Sequence, residues 1–281
     1  MKRIMTIQDI SCVGKCSLTV ALPVISAAGI EASVLPTALL STHTAFESFT
    51  FKDLTDEIQP IGDTLKKLNI DFDAIYTGYL GSKRQVKYVE EFIDKFKNEH
   101  NFVLVDPAMA DNGKLYSGFN QEFAKRMALL CAKADLIVPN LTEASFMLNI
   151  PYKEEYDEEY IKEVLVKLTG LGAKAAAISG VSFNHREIGF YLYNSETKEF
   201  SYYFNEKVPV LYHGTGDVFA SSTLAGYMNG LSIHDSLALA TDFTLEAIKY
   251  TVKDENSRFY GVNFEQALPF LIEKINFLKN T

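Results

Sequence analysis

Short apolar runs alternating with amphipathic stretches of helical period recur through most of the chain, and no other feature restricts its possible folds as severely. RIMTIQ (3–8), ASVLPT (32–37), AIYTG (74–78), FVLVDP (102–107), DLIVPN (135–140) and KAAAIS (174–179) each read as a buried strand closed by polar or turn-forming residues. Between two of them, SKRQVKYVEEFIDKFKNEH (82–100) puts Val86, Val89, Phe92, Ile93 and Phe96 on one helical face and its charges on the other. Strands alternating with helices build βαβ units, and these make a mostly parallel central sheet with helices on both faces. The rhythm then changes. EIGFYLYN (187–194) and EFSYYFNE (199–206), joined by a short polar turn, read as an antiparallel β-hairpin, followed by helical segments over 215–229, 233–251 and 263–279. With no internal repeat or dividing linker, the expectation is one α/β domain over 1–281.

Composition narrows the function classes. Twenty-seven basic against 36 acidic residues give a net charge of -9, which argues against nucleic acid or an acidic membrane surface as the main partner. No apolar run approaches the length of a membrane span. The start, MKRIMTIQDI, lacks the apolar core and cleavage site of a signal peptide. The cysteines, Cys12, Cys16 and Cys131, are odd in number and have no second Cys/His cluster to complete a zinc site. A reducing, cytoplasmic setting suits them.

In open α/β sheets ligands bind beyond the carboxyl ends of the strands. The strand endings Gln8-Asp9, Thr37, Thr77-Gly78-Tyr79, Asp106-Pro107, Pro139-Asn140 and Ser179-Gly180 are therefore the functional list. Several familiar motifs fail. VGKCS (13–17) lacks the earlier glycine of a phosphate-binding P-loop, and Gly214-Thr215-Gly216 lacks the third glycine of a dinucleotide fingerprint. The stretch HGTGDVFASSTLAG (213–226) reads either as a tight turn into a buried helix or as a cradle in which unpaired helix-start amides meet an anion. Asp106, Asp111, Asn140 and Glu143 lie at or just past neighbouring strand tips. Carboxylates delivered there can hold a hydrated Mg²⁺; taken alone, Glu143 reads sooner as a first-turn acid on a helix that Thr142 caps.

Taken together, IQDISCVG, LLSTHTAF, TGYLGS, VDPAMADNG with PNLTEA, and GTGDVFASSTLAG resemble the pyridoxal/pyridoxine (vitamin B6) kinase family of the ribokinase-like superfamily over nearly the full length. The resemblance implies ATP- and Mg²⁺-dependent phosphorylation of the 5′-hydroxymethyl group of pyridoxal, pyridoxine or pyridoxamine, by a homodimer, and admits a monovalent cation. Asp217 matches the family's catalytic aspartate, and Gly214, Thr215 and Gly216 its anion hole. The same dipole that gathers a phosphoryl group predicts a weakly basic Asp217. Glu143 and Asp106, with Asp111, match acidic positions near Mg²⁺. Asn140 and Ser179 match positions near the nucleotide phosphates. Asp9, Ser11, His43, Thr44 and Tyr79 match the substrate side. Departures are visible: Asp9 stands where many members have Ser, Val138 where relatives often have Thr, and AMADNG replaces the usual VMGD. Asp9 favours hydroxymethylpyrimidine kinase as the alternative, and a binding relative without chemistry is a third reading. A mobile cover is expected over 109–118.

Overall fold

The computed structural model describes residues 1–280. The chain runs β1 (Arg3–Val13), α1 (Leu18–Ala27), β2 (Glu31–Thr42), β3 (Phe51–Asp53), α2 (Ile58–Lys67), β4 (Ala74–Thr77), α3 (Lys83–Phe96), β5 (Phe102–Val105), β6 (Ala110–Asp111), β7 (Lys114–Leu115), α4 (Gln121–Cys131), β8 (Leu136–Ile137), α5 (Leu141–Leu148), α6 (Glu158–Thr169), β9 (Ala175–Val181), β10 (Glu187–Asn194), β11 (Glu199–Glu206), α7 (Thr215–Met228), α8 (Ile233–Lys253) and α9 (Phe264–Lys279). Nine strands form one sheet in the order β11-β10-β9-β8-β5-β4-β1-β2-β3. The six strands from β9 to β2 pair in parallel, while β3, β10 and β11 join antiparallel.

Alternate residues of the central strands feed two cores, which is why these strands are apolar throughout. Met5, Ile7, Ile75, Val103 and Val105 face α3 to α6. Ile4, Ala74, Tyr76 and Leu104 face α1, α7 and α8. Small residues let α7 lie close between sheet and α8: a Cβ added at Gly226 would sit 3.1 Å from Leu239. Hydroxyls in the body of α7 are satisfied within the helix, Ser222 Oγ donating to the Val218 carbonyl at 2.6 Å and Thr223 Oγ1 to that of Phe219 at 2.8 Å.

The hairpin over 187–206 has the boundaries its alternation predicts. Three strands run past the ends their sequence suggests, β1 to Val13, β2 to Thr42 and β9 to Val181. Pro36 reads as a stop, yet β2 continues to Thr42, so Thr37 lies inside a strand and its carbonyl accepts from Gln85 Nε2 at 3.0 Å. A proline here lacks an amide but keeps extended geometry. Strand order reverses between β1 and β4, with β2 on one side and β5 on the other. Such a switch point opens a crevice at the carboxyl ends of the strands. Ladder register also shifts between Gln8 and Ile10, with Asp9 at the irregularity.

Candidate active site

Four carboxylates converge at the crevice: Asp9 from β1, Asp106 just past β5, Glu143 from the first turn of α5, and Asp217 from the first turn of α7. Each bears on at least one of the others, and none of the charges acting most strongly on them is positive. Burial is the leading cause in all four of a carboxyl raised above its ordinary range. Asp217 is pushed up to about 7, first by burial, with the Ser17 amide pulling it down and the charge of Asp9 raising it again. The weak base expected from the helix dipole is therefore not what the fold provides, because desolvation outweighs the dipole.

The glycines ahead of Asp217 have separate causes. Gly214 caps α7 in the left-handed region (φ 78°), and a Cβ there would lie 1.9 Å from the Lys15 carbonyl oxygen. Gly216 is exposed and strain-free, and a Cβ there would meet Asp106 Oδ2 at 4.0 Å with nothing nearer. No side chain caps α7, and Thr215 Oγ1 donates backward to the Tyr212 carbonyl at 3.2 Å. With no side-chain cap at the start of α7 and room at Gly216 beside Asp106, the unpaired first amides are left for an anion. Lys15 does not supply the positive charge. Its ammonium is turned onto Asn263 Oδ1 and Glu265 Oε2, both at 2.9 Å.

Glu143 and Asn140 form a capping box: Asn140 Oδ1 accepts from the Glu143 amide at 2.9 Å, and Glu143 Oε2 from the Asn140 amide at 2.8 Å. Glu143 Oε1 also accepts from the Met109 amide at 3.1 Å, while Asn140 Nδ2 donates to the Ala110 carbonyl at 2.8 Å. These two residues fasten α5 to the segment following Asp106. Asp111 stands apart, exposed, its carboxylate accepting from the Asn112 amide and side chain. Ser179 lies inside β9 and bridges to Asn140. Residues 110–115 form a small hairpin, β6 with β7, tied to α5 where the Gly113 amide donates to Thr142 Oγ1 at 3.1 Å.

Among the residues matched to the substrate side, Asp9 and Tyr79 come together, the charge of Asp9 raising the Tyr79 phenol after burial does. Ser11 is fully buried against Cys16. His43 is buried, with Nε2–H donating to the Tyr260 carbonyl at 3.0 Å and Nδ1 accepting from the Ala45 amide at 3.1 Å. Both ring nitrogens are thereby used by backbone, so His43 offers its ring alone. Thr44 is exposed in the next turn. The sequence did not single out three other neighbours. His213 is exposed with its ring 5.5 Å from that of His43, the half-buried Cys16 thiol is raised by desolvation and then by Asp217 and Asp9, and the Tyr116 phenol is raised by desolvation and then by Glu143, Asp111, Asp106 and Asp217. None of the three belongs to a motif with fixed spacing.

No group of three or more His, Cys, Asp or Glu side chains forms a ready metal cage among the described residues. Asp106 and Glu143 are nonetheless a buried acid pair with no opposing cation, which fits a hydrated divalent ion shared with phosphate oxygens. Such an ion would bind their charged forms. Mg²⁺ should therefore raise the melting temperature more at alkaline than at acidic pH, a difference Asp106→Asn should abolish in thermal scans.

Among the described residues no helix is long and apolar enough to cross a membrane. The phosphomethylpyrimidine kinase family matches residues 22–260. A Bacteroides thetaiotaomicron protein described as a candidate phosphomethylpyrimidine kinase, crystallised with pyridoxal, is 39% identical, with a TM-score of 0.92 and coverage of 96% of this chain and 95% of that one. Pyridoxal kinase from Lactobacillus plantarum is 28% identical with a TM-score of 0.90, covering 97% of both. The hydroxymethylpyrimidine/phosphomethylpyrimidine kinase of Aquifex aeolicus is 28% identical over 213 residues, 73% of this chain and 76% of its own.

Proposed function

The chain belongs to the phosphomethylpyrimidine kinase family of ribokinase-like phosphotransferases, and from that premise we propose that it transfers the γ-phosphoryl group of ATP to the 5′-hydroxymethyl group of a B6 vitamer. One observation carries the reading: a half-buried carboxylate near neutrality, Asp217, heads an uncapped helix whose start lies beside a second acid. Asp217 takes the hydroxyl proton as the alcohol oxygen bonds to phosphorus. The bond from phosphorus to the β-phosphate oxygen breaks, and ADP leaves with that electron pair. The amides of Gly214, Thr215 and Gly216 hold the charge that gathers on the phosphoryl oxygens. Asp106 and Glu143 would hold Mg²⁺, which neutralises phosphate charge when bound. Asn140 and Ser179 lie on the nucleotide side, and Asp9, Ser11, His43, Thr44 and Tyr79 line the acceptor side, where Tyr79 stacks on the ring. The pyridoxal crystallised with the Bacteroides relative supports a B6 vitamer.

A second reading, hydroxymethylpyrimidine as acceptor, is favoured by Asp9, whose carboxylate would accept from a ring amine, and by the Aquifex relative. ATP consumption with pyridoxal, pyridoxine, pyridoxamine and hydroxymethylpyrimidine supplied separately decides between them. Turnover of the vitamers supports the proposal, and turnover of the pyrimidine alone rejects it. We take the cytoplasmic homodimer as part of the same reading, with sedimentation as the check on assembly.

A further inference from the structure

The two edges of the sheet are built differently. β3 is three residues long and carries Lys52 and Asp53, a short charged edge that discourages pairing with another chain. β11 is eight residues long, pairs along its whole length with β10 on one side and closes the sheet on the other. From Phe200 to Asn205 it has no charged residue and no proline to blunt it. An edge left in that state is a template for a further strand.

Its two faces differ as well. One is fastened to α8: Tyr203 Oη donates to Asp242 Oδ1 at 2.8 Å, Asn205 Nδ2 donates to the Thr241 carbonyl at 3.1 Å, and Ser201 Oγ lies 3.1 Å from His234 Nδ1. The opposite face is an aromatic row. Phe200 stacks on Tyr193 with ring centroids 4.5 Å apart, Tyr202 stacks on Tyr191 at 4.9 Å, and Phe204 lies 5.9 Å from both Tyr191 and Phe183. The row is incompletely covered, Tyr202 being 57% exposed and Phe200 38%. Exposed charges of opposite sign, Lys198 and Glu206, bound it at its two ends. Glu206 meets Lys249 Nζ at 3.0 Å through Oε2.

We propose that a second copy of the chain adds its own β11 antiparallel to this edge, about a two-fold axis at Tyr202, so that two nine-stranded sheets become one. Self-complementarity selects the register. Opposed side chains must share a face, so a two-fold axis sets even-numbered positions against even and odd against odd. Centred on Tyr202, Lys198 meets the partner's Glu206, Phe200 meets the partner's Phe204, and Tyr202 meets its own copy. Centred on Ser201, Lys198 would face Phe204 instead. Centred on Tyr203, Phe200 would face Glu206. Of the three, the Tyr202 register alone sets opposite charges together and rings on rings, the cross-strand pairs that favour a ladder. The inference rests on the homodimer reading above and deepens it by naming the surface.

Thiol trapping reads the register. Directly opposed antiparallel residues have Cα atoms about 4.5–5.5 Å apart, within disulfide reach, whereas a separation above about 7 Å cannot be bridged. Tyr202→Cys should therefore link two copies under oxidised glutathione, and Ser201→Cys, offset from its own copy, should not. Both are made with Cys12→Ser because Cys12 is exposed. Sedimentation equilibrium adds a test that leaves the aromatic row intact. Lys198→Glu and Glu206→Lys should each weaken the dimer about tenfold, since the axis turns one substitution into two like-charged contacts, and the double variant should regain the parent affinity. Lys198→Glu cannot repair a lost Lys249 contact, so recovery reports the pairing between copies. Equal linkage at positions 201 and 202, or no recovery in the double variant, overturns the proposal. A dimeric parent whose Tyr202→Cys variant stays unlinked overturns it and leaves the homodimer reading standing, while a monomeric parent overturns both. Turnover judges the kinase reading separately.

Discussion

Asp217→Asn is expected to lower kcat by about 10³- to 10⁴-fold, with the fold intact and the protein more stable than the parent at neutral pH and above. Both effects share one cause. Burial, opposed by the Ser17 amide and reinforced by Asp9, raises the carboxyl from 3.8 to about 7. At neutral pH the group is poised to take a proton, which an amide cannot do. The folded state also carries a charge it disfavours. Because the folded value lies above the unfolded one, the folded protein binds the extra proton between the two, so this contribution favours folding at low pH and is lost as pH rises from about 4 to about 7. The asparagine variant should escape that loss, by on the order of 2–4 kcal/mol at alkaline pH. Denaturant melts of both proteins across this range check the sign. The parent's kcat should in turn fall as pH drops through about 7. Parent-like turnover in Asp217→Asn would remove the base from the account.

The two glycines of the same motif should respond in opposite ways. Gly214→Ala drives a methyl to within 1.9 Å of the Lys15 carbonyl oxygen and demands φ 78° of an L-residue. The backbone on both sides must move, so a loss of about 4 kcal/mol or more is expected, visible as a large drop in melting temperature. Gly216→Ala meets nothing closer than 4.0 Å and should melt with the parent. Its methyl stands where the amides open toward Asp106, so turnover should still fall by about 100-fold, the scale of a lost oxyanion donor. Stability loss at 216, or tolerance at 214, would mean that the motif is a turn and nothing more.

The layered sheet was legible because its signals are local. The hairpin boundaries, the apolar face of α3 and the alternation of strands with helices all follow from periods of two and 3.6 residues. Strand tips were less so: Pro36 suggested an end to β2 that the parallel ladder overrides, and the cap of α5 is Asn140, ahead of the Thr142 its sequence suggested. The basicity of Asp217 was misjudged because burial by residues distant in sequence outweighs a dipole visible in the local helix.

The central claim is transfer of a phosphoryl group from ATP to a ring hydroxymethyl group, and phosphorus NMR of the purified protein with ATP, Mg²⁺ and pyridoxal tests it directly. A phosphomonoester signal growing in step with ADP is the predicted result. ADP appearing only with inorganic phosphate, or no change in the ATP signals with any vitamer, would contradict it.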